Sequence, residues 1–211
     1  MNLNFLPITP DDLTQYKRDM QEAFQFGAIE GGFPDEGEIL PEKDIDRSLN
    51  KKGAAAYKAV LDGKIVGGAI VVIDEEKGEG ELDFLYVKHG VQSKGIGKFM
   101  WYEIERIYPE IKVWKTCTPY FELRNIHFYV NVCKFHIVEF FNERHKDPNQ
   151  EEYNLETTAP EGYFDGMFEF EKVIKLKTGD IALSPIFVMP LNAPRGKFRG
   201  YFRLAETRLW T

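Results

Sequence analysis

Apolar and polar positions along this chain alternate with period two over several short runs, and stretches of helical period stand between them, which predicts a mixed α/β fold. Asn2 to Ile8 reads as a short first strand. Thr9-Pro10-Asp11-Asp12 then offers an N-cap, a proline at the first helical position and acids in the first turn, so a helix is expected to about Phe24. Gly27 to Leu49 reads as an acidic loop with a short helix, carrying Gly31-Gly32-Phe33-Pro34 and then Glu36, Glu38, Glu42, Asp44 and Asp46. Ala54–Leu61 and Ile65–Ile73 are β-rich apolar runs across the turn Asp62-Gly63-Lys64, and a second polar turn leads into Glu81–Val87, so three consecutive antiparallel strands are expected. Ile96, Phe99, Met100, Ile104 and Ile107 fall on one helical face that packs on the sheet. Ile111–Thr118 then reads as a strand, Asn125 to about Cys133 as a short helix, Phe135–Phe141 as a strand and Met167–Ile174 as its hairpin partner. The polar loop between the last two is either a lid or a long hairpin tip.

Composition narrows the function. A chain of 211 residues, 43% hydrophobic and 14% aromatic, is long enough for one well-buried domain and too short for two large ones. No apolar run reaches the roughly 18 to 20 residues of a membrane helix, and Met1 to Asp12 lacks a basic region followed by an apolar one, so no membrane role and no export are expected. Two cysteines, Cys117 and Cys133, make no disulfide framework, and His89, His127, His136 and His145 show no metal-ligand spacing. A cytoplasmic protein without a metal is the expectation. A net charge of −7 speaks against general nucleic-acid binding. The segment from Thr178 reverses the sign, with Arg195, Lys197, Arg199, Arg203 and Arg208 against Asp180 and Glu206.

The candidate chemistry starts at Gln92-Ser93-Lys94-Gly95-Ile96-Gly97-Lys98, which follows a strand and precedes a helix. That order presents bare backbone N–H groups and a positive dipole end, a cradle for phosphate. A Walker A loop fails in both registers: Gly90 and Gly95 are followed by Ile96, while Gly97-Lys98 has Gln92 in place of the first glycine and Phe99 in place of the hydroxyl. The dinucleotide fingerprint fails at Met100, where its third glycine belongs. What remains, Q-x-x-G-x-G after a strand, resembles the acetyl-CoA pyrophosphate loop of the GCN5-related N-acetyltransferase (GNAT) superfamily. Asn125-Ile126-His127-Phe128-Tyr129 through Phe135 resembles a second segment of that superfamily, N-x-x-F-Y-x-x-x-G-F, except that Lys134 stands where the family has glycine. Lys134 must therefore take a helix-ending conformation that glycine adopts easily.

The resemblance covers residues 2–174 and implies a GNAT-like domain over 1–174, with a central, mostly antiparallel, twisted mixed sheet of about seven strands flanked by helices. It implies acetyl transfer from acetyl-CoA to a primary amine by direct attack in a ternary complex. Tyr129 resembles the family's general acid, and the backbone around Leu85, Tyr86 and Val87 would supply N–H groups to the oxyanion. Gln92, Ser93, Lys94, Gly95, Ile96, Gly97 and Lys98 would hold the pyrophosphate, and Asn125 resembles the pantetheine contact. Glu81 lies eleven residues before Gln92, the offset of the base in the histone acetyltransferase branch. Alternation along one strand places Glu81, Asp83, Leu85 and Val87 on one face, where the two carboxylates raise each other's pKa and either is a candidate base. Glu30, Asp35, Glu36 and Glu38, near Phe24, Phe26 and Phe33, suggest an acidic, aromatic-rimmed mouth for a cationic amine, small molecule or peptide. A rival reading is a non-catalytic acyl-CoA sensor, because a helix end displaced at Cys133-Lys134 would move Tyr129. Residues 175–211 form an extension beyond the usual family boundary, whose stretch Ile181–Pro190 suits an edge strand or a clasp on a partner, a second copy included.

Overall fold

The computed structural model describes residues 2–92, 94–148 and 158–174. Ser93 and the extension 175–211, with its proposed strand at Ile181–Pro190, lie outside them. The strands are β1 (Leu3–Pro7), β2 (Ala54–Leu61), β3 (Lys64–Asp74), β4 (Glu79–Val87), β5 (Val113–Pro119), β6 (His136–Asn142) and β7 (Gly166–Val173). They form one seven-stranded sheet in the order β1-β2-β3-β4-β5-β7-β6. Only the β4–β5 pair is parallel; the other five pairs are antiparallel. The mixed, mostly antiparallel sheet expected from the sequence is thus present. The helices are α1 (Leu13–Glu30), α2 (Glu42–Asn50), α3 (Ile96–Ile107) and α4 (Leu123–His127), the last continued by a π-helical segment, Phe128–Cys133.

Local chemistry fixes the joints. Thr9 and Asp12 form the capping box at the start of the first helix, with the Asp12 carboxylate accepting from the Thr9 amide at 2.7 Å. Asp62 and Gly63 both take positive φ (48° and 83°), the left-handed pair a two-residue hairpin requires. The first helix runs six residues past Phe24, to Glu30, which corrects the shorter helix read from the sequence. Gly27, where the acidic loop was expected to begin, lies inside this helix. The helix ends where Gly32 turns left-handed at φ 95° and the Phe33 amide bonds the Ala28 carbonyl.

Helices cover both faces of the sheet. On one, Tyr16 and Met20 of α1 and Ile45 of α2 pack with Ile70 and Tyr86. On the other, Trp101 and Ile104 of α3 pack with Leu82, Trp114, Phe135 and Phe170. The α1 face is held by polar contacts as well: Asp12 meets Lys58 at 2.6 Å, and the buried Asp19 meets Lys88 at 2.7 Å. Between these pairs the rings of Tyr16 and Tyr86 meet edge to face, 5.5 Å apart. Both rest on Gly68, where a Cβ would come within 2.4 Å of Tyr16 and 2.8 Å of both Tyr86 and the Tyr57 carbonyl. Gly68→Ala is therefore expected to destabilise the fold by about 1–3 kcal/mol through overpacking. Thermal or denaturant unfolding of the variant checks this, and an unchanged midpoint contradicts it.

Candidate active site

Strands β4 and β5 pair at only three positions, Glu79↔Val113, Gly80↔Trp114 and Glu81↔Lys115. Beyond Glu81, β4 stays paired with β3 as far as Val87, while β5 stays paired with β7 as far as Pro119. One side-chain link bridges the seam just past the last pair, from the Thr116 hydroxyl to the Leu82 carbonyl at 2.9 Å. The sheet then opens, and the β4 edge from Asp83 to Val87 faces a cleft instead of a neighbouring strand. The cleft, about 3090 Å³, is lined from both faces of the sheet, by Gln92, Gly97 and Phe128 on the α3 side and by Phe24, Lys51 and Glu81 on the α1–α2 side.

The glycine loop stands at one mouth. Gly95 is the N-cap of α3 in the left-handed conformation, φ 77°, with open space where a Cβ would be. Phe99 is the residue whose amide reaches back to the Gly95 carbonyl, at 2.9 Å, so the N–H groups of Ile96, Gly97 and Lys98 have no carbonyl within the helix to bond. Gly97 has a second reason to be glycine, since a Cβ there would lie 3.3 Å from the Phe128 ring. Gln92, Gly95, Ile96, Gly97 and Lys98 all line the cleft. Lys94 is exposed and is not among the lining residues. The exposed Lys98 ammonium lies 5.6 Å from the Tyr102 ring centroid.

The segment after α4 supplies the phenol. Tyr129 is 8% exposed, lines the cleft, and packs against Phe135 and Phe170. Burial pushes its phenol well above the usual range against the opposing pull of the Thr116 hydroxyl, so it holds its proton at neutral pH. Asn125, at the cleft wall, donates to the Thr118 hydroxyl at 3.4 Å. Lys134 takes the left-handed conformation that the sequence demanded of it, φ 68° and ψ 34°, and the amides of both Lys134 and Phe135 bond the Tyr129 carbonyl. The turn is formed without glycine, so the helix end beside Tyr129 closes despite the departure at Lys134. A left-handed lysine carries strain that glycine avoids. Lys134→Gly should accordingly stabilise the protein by about 0.5–1 kcal/mol. A rise in melting temperature checks it; a fall shows that the Lys134 ammonium on the Asn131 carbonyl, 2.8 Å away, matters more.

The carboxylates sit at the opposite mouth, and here one expectation is corrected. The β3–β4 register shifts between Ile70↔Phe84 and Val71↔Leu82, leaving Asp83 as the extra residue of a bulge. The bulge reverses the alternation: Leu85 and Val87 pack with the α3-side core, whereas Glu81 and Asp83 face Lys51, which follows α2. The four do not share one face. Asp83, its side chain 7% exposed, accepts from the Ser48 hydroxyl at 2.5 Å and from Lys51 at 2.9 Å. Lys51 also lies 3.7 Å from Glu81, whose side chain is 39% exposed to the cleft. Burial in the cleft wall first, and the Asp83 charge second, raise the Glu81 carboxyl above its ordinary range, opposed by Lys51. Cys117 of β5 opens onto the same space but is crowded by its walls; burial, then Glu81 and Asp83, push its thiol up to about 12.

The acidic mouth is smaller than the sequence suggested. Asp35 and Glu38 accept from the amides of Gln25 and Gln21, at 3.0 and 2.6 Å, and neither they nor Glu36 line the cleft. Phe26 stacks on His89 and Phe33 packs on Phe121 and Tyr163, so of the three phenylalanines only Phe24 is a wall residue. Glu30 does line it, 3.2 Å from Arg124 and beside Glu122, whose carboxyl is raised by burial and then by Glu30. Sequence reasoning missed Glu122, Lys51, Ser48 and Cys117. No motif marks them; they meet the site only through the α2 end, the β5 face and the turn after β5.

A sheet parted between two parallel strands, with a glycine-capped helix at the opening, defines an α/β acyltransferase type of architecture. Residues 15–135 match the sequence profile of the Acetyltransferase (GNAT) family. The chain is 43% identical over 167 residues to the uncharacterized protein YrkN of Bacillus subtilis (strain 168), covering 79% of this chain and 90% of that protein. Its fold resembles the PaiA N-acetyltransferase of Thermoplasma acidophilum in complex with coenzyme A, at TM-score 0.58 and 16% identity over 82% of this chain and 100% of the other. It also resembles the ribosomal-protein-S18-alanine N-acetyltransferase of Escherichia coli, at TM-score 0.59 and 13% identity over 86% and 100%. A GNAT acetyltransferase of Elizabethkingia anophelis with acetyl-CoA bound gives 0.56 and 16% over 82% and 99%. The chain belongs to the GNAT acetyltransferase family. No helix among the described residues is long and apolar enough to cross a membrane.

Proposed function

We propose that the protein transfers the acetyl group of acetyl-CoA to a primary amine by direct attack while both substrates are bound. The observation that carries this reading is the opening between β4 and β5, with bare helix N–H groups at one mouth and a carboxylate pair at the other. The fit to acetyl-CoA rests on this chain's own atoms: the N–H groups of Ile96, Gly97 and Lys98, with Gln92 and Gly95, suit the pyrophosphate. Lys94, exposed beside them, adds charge that suits phosphate, and Asn125 with the β4 edge at Leu85, Tyr86 and Val87 suits the pantetheine arm. When bound, acetyl-CoA supplies an acetyl group activated as a thioester.

The residues divide the remaining work. Glu81 accepts the proton of the incoming amine, since its raised pKa brings a carboxylate closer to neutrality as a base. On β4 the Lys88 amide bonds the Val66 carbonyl, so by alternation the Tyr86 amide also points to β3, and the N–H groups of Leu85 and Val87 are the donors available to the acyl oxygen. Tyr129, kept protonated by burial, donates to the departing sulfur. Direct attack is favoured over a cysteine acyl-enzyme because the Cys117 thiol, pushed up to about 12, is not a thiolate at neutral pH.

Free-thiol release from acetyl-CoA across a panel of amines tests the activity, and no release with any amine would remove it. Tyr129→Phe should bind acetyl-CoA as the parent does while kcat falls about 10²-fold or more, the ordinary contribution of an acid catalyst. Equal turnover by the two forms takes Tyr129 out of that role. The Glu81 assignment has a pH consequence. The base works above its pKa, so kcat/KM is lost as pH falls through a value above the usual carboxylate range. Asp83→Asn removes the repulsion and should move that limb to lower pH; a limb that stays or moves up contradicts the assignment.

A further inference from the structure

The carboxylates of the candidate acceptor mouth already hold a primary alkylammonium, and it belongs to the chain itself. Lys51 follows the last turn of α2, its amide bonded to the Ser48 carbonyl at 3.2 Å and its carbonyl accepting from Ala54 at 3.1 Å. Gly53 locks this turn to the sheet at φ 85°, where a Cβ would collide with the Ile73 carbonyl at 2.1 Å. From that fixed backbone the side chain reaches over β4 and lays its ammonium between Asp83, at 2.9 Å, and Glu81, at 3.7 Å. It stays 28% exposed to the cleft, so it is not walled in. These are the two carboxylates on the side of the sheet opposite the glycine loop, and Glu81 is the group assigned to take the acceptor's proton.

We propose that Lys51 occupies the position of the acceptor's ammonium and that a cationic primary amine must displace it to bind. The proposal rests on the acetyl-transfer reading and sharpens it, because it fixes the acceptor class as an unhindered primary alkylammonium. Such an amine replaces Lys51 one charge for one, so the Asp83 carboxylate keeps a cation while the acceptor binds. A neutral or anionic amine cannot make that exchange, since it would leave a nearly buried carboxylate uncompensated once Lys51 swings out. Lys51 therefore excludes such amines and weakens the binding of the ones it admits. Ser48 keeps its hydrogen bond to Asp83 throughout and holds that carboxylate in place during the exchange.

The probe is n-butylamine, which reproduces a lysine side chain from Cβ outward. In thiol-release assays at saturating acetyl-CoA, Lys51→Met should lower the KM for n-butylamine about three- to tenfold, the scale of a partly exposed ion pair. Lys51→Arg keeps the internal cation and should keep the parent KM. Acetyl-CoA affinity should be the same in all three. The competition is also read without turnover, by titrating n-butylammonium into the parent and Lys51→Met proteins and following chemical shifts of the β4 amides. Tighter binding to Lys51→Met supports the proposal, and equal or weaker binding overturns it. Tighter binding together with no thiol release by the parent across the amine panel keeps this inference and removes the transferase reading alone.

Discussion

Everything at the site depends on the failure of β4 and β5 to remain paired beyond Glu81. Two local features set the point of separation. Gly80 lies against the Trp114 ring, where a Cβ would be 2.6 Å away, so the last paired positions are closely packed and β5 is held there. Three residues on, the bulge at Asp83 bends β4 and raises its twist. A parallel neighbour cannot follow that bend, and β5 continues instead with β7, through seven pairs from Val113↔Val173 to Pro119↔Met167. The same bulge turns Asp83 toward α2 while Leu85 and Val87 remain on the α3 side. One extra residue therefore opens the sheet and distributes its two functions between its faces.

An opened sheet forgoes interstrand hydrogen bonds, and the α1 side compensates by pinning its helix with charge. Asp12, Tyr16 and Asp19 recur at helical spacing on the inner face of the helix, and they meet Lys58 after β1's partner strand begins and Lys88 just after β4 ends. Removing Lys88 leaves the buried Asp19 carboxylate without its cation, whereas Asp12 keeps its bonds from Thr9, so the Asp19 pair specifies where the helix lies more than it adds to stability. The placement matters because the far end of the same helix, at Phe24, Gly27 and Glu30, forms one wall of the cleft.

The fold was legible in the sequence wherever the signal was local. Asp62-Gly63 declared a hairpin, Ile96 to Ile107 declared one apolar face, and Gln92 to Lys98 declared a glycine turn leading into a helix; each requires only neighbours in the chain. Tyr129 and Lys134 were legible for the same reason, since the helix end they share is a single turn. The errors came where a distant segment decides. The end of α1 was placed too early, at Phe24, because Ala28 in its last turns is buried against Tyr163 and Phe121, far away in sequence. The β4 bulge was invisible because alternation carries no mark of one extra residue. Lys51 and Ser48 were passed over because a short amphipathic helix does not announce which strand it will cover.

The chemistry at the two mouths follows from one physical cause acting on two kinds of acid. Burial disfavours the charged form of both the Tyr129 phenol and the Glu81 carboxyl, so both are raised. For the phenol, whose ordinary value already exceeds that of a thiol, the rise keeps the proton in place, which suits the acid role proposed for it. For the carboxyl the rise strengthens its conjugate base, which suits the proton-accepting role proposed for it. Asp83 differs in its surroundings, because a hydroxyl and an ammonium already occupy its oxygens. The half-open position of Glu81 and the closed one of Asp83 thus separate two adjacent carboxylates into one reachable from the cleft and one held by its neighbours.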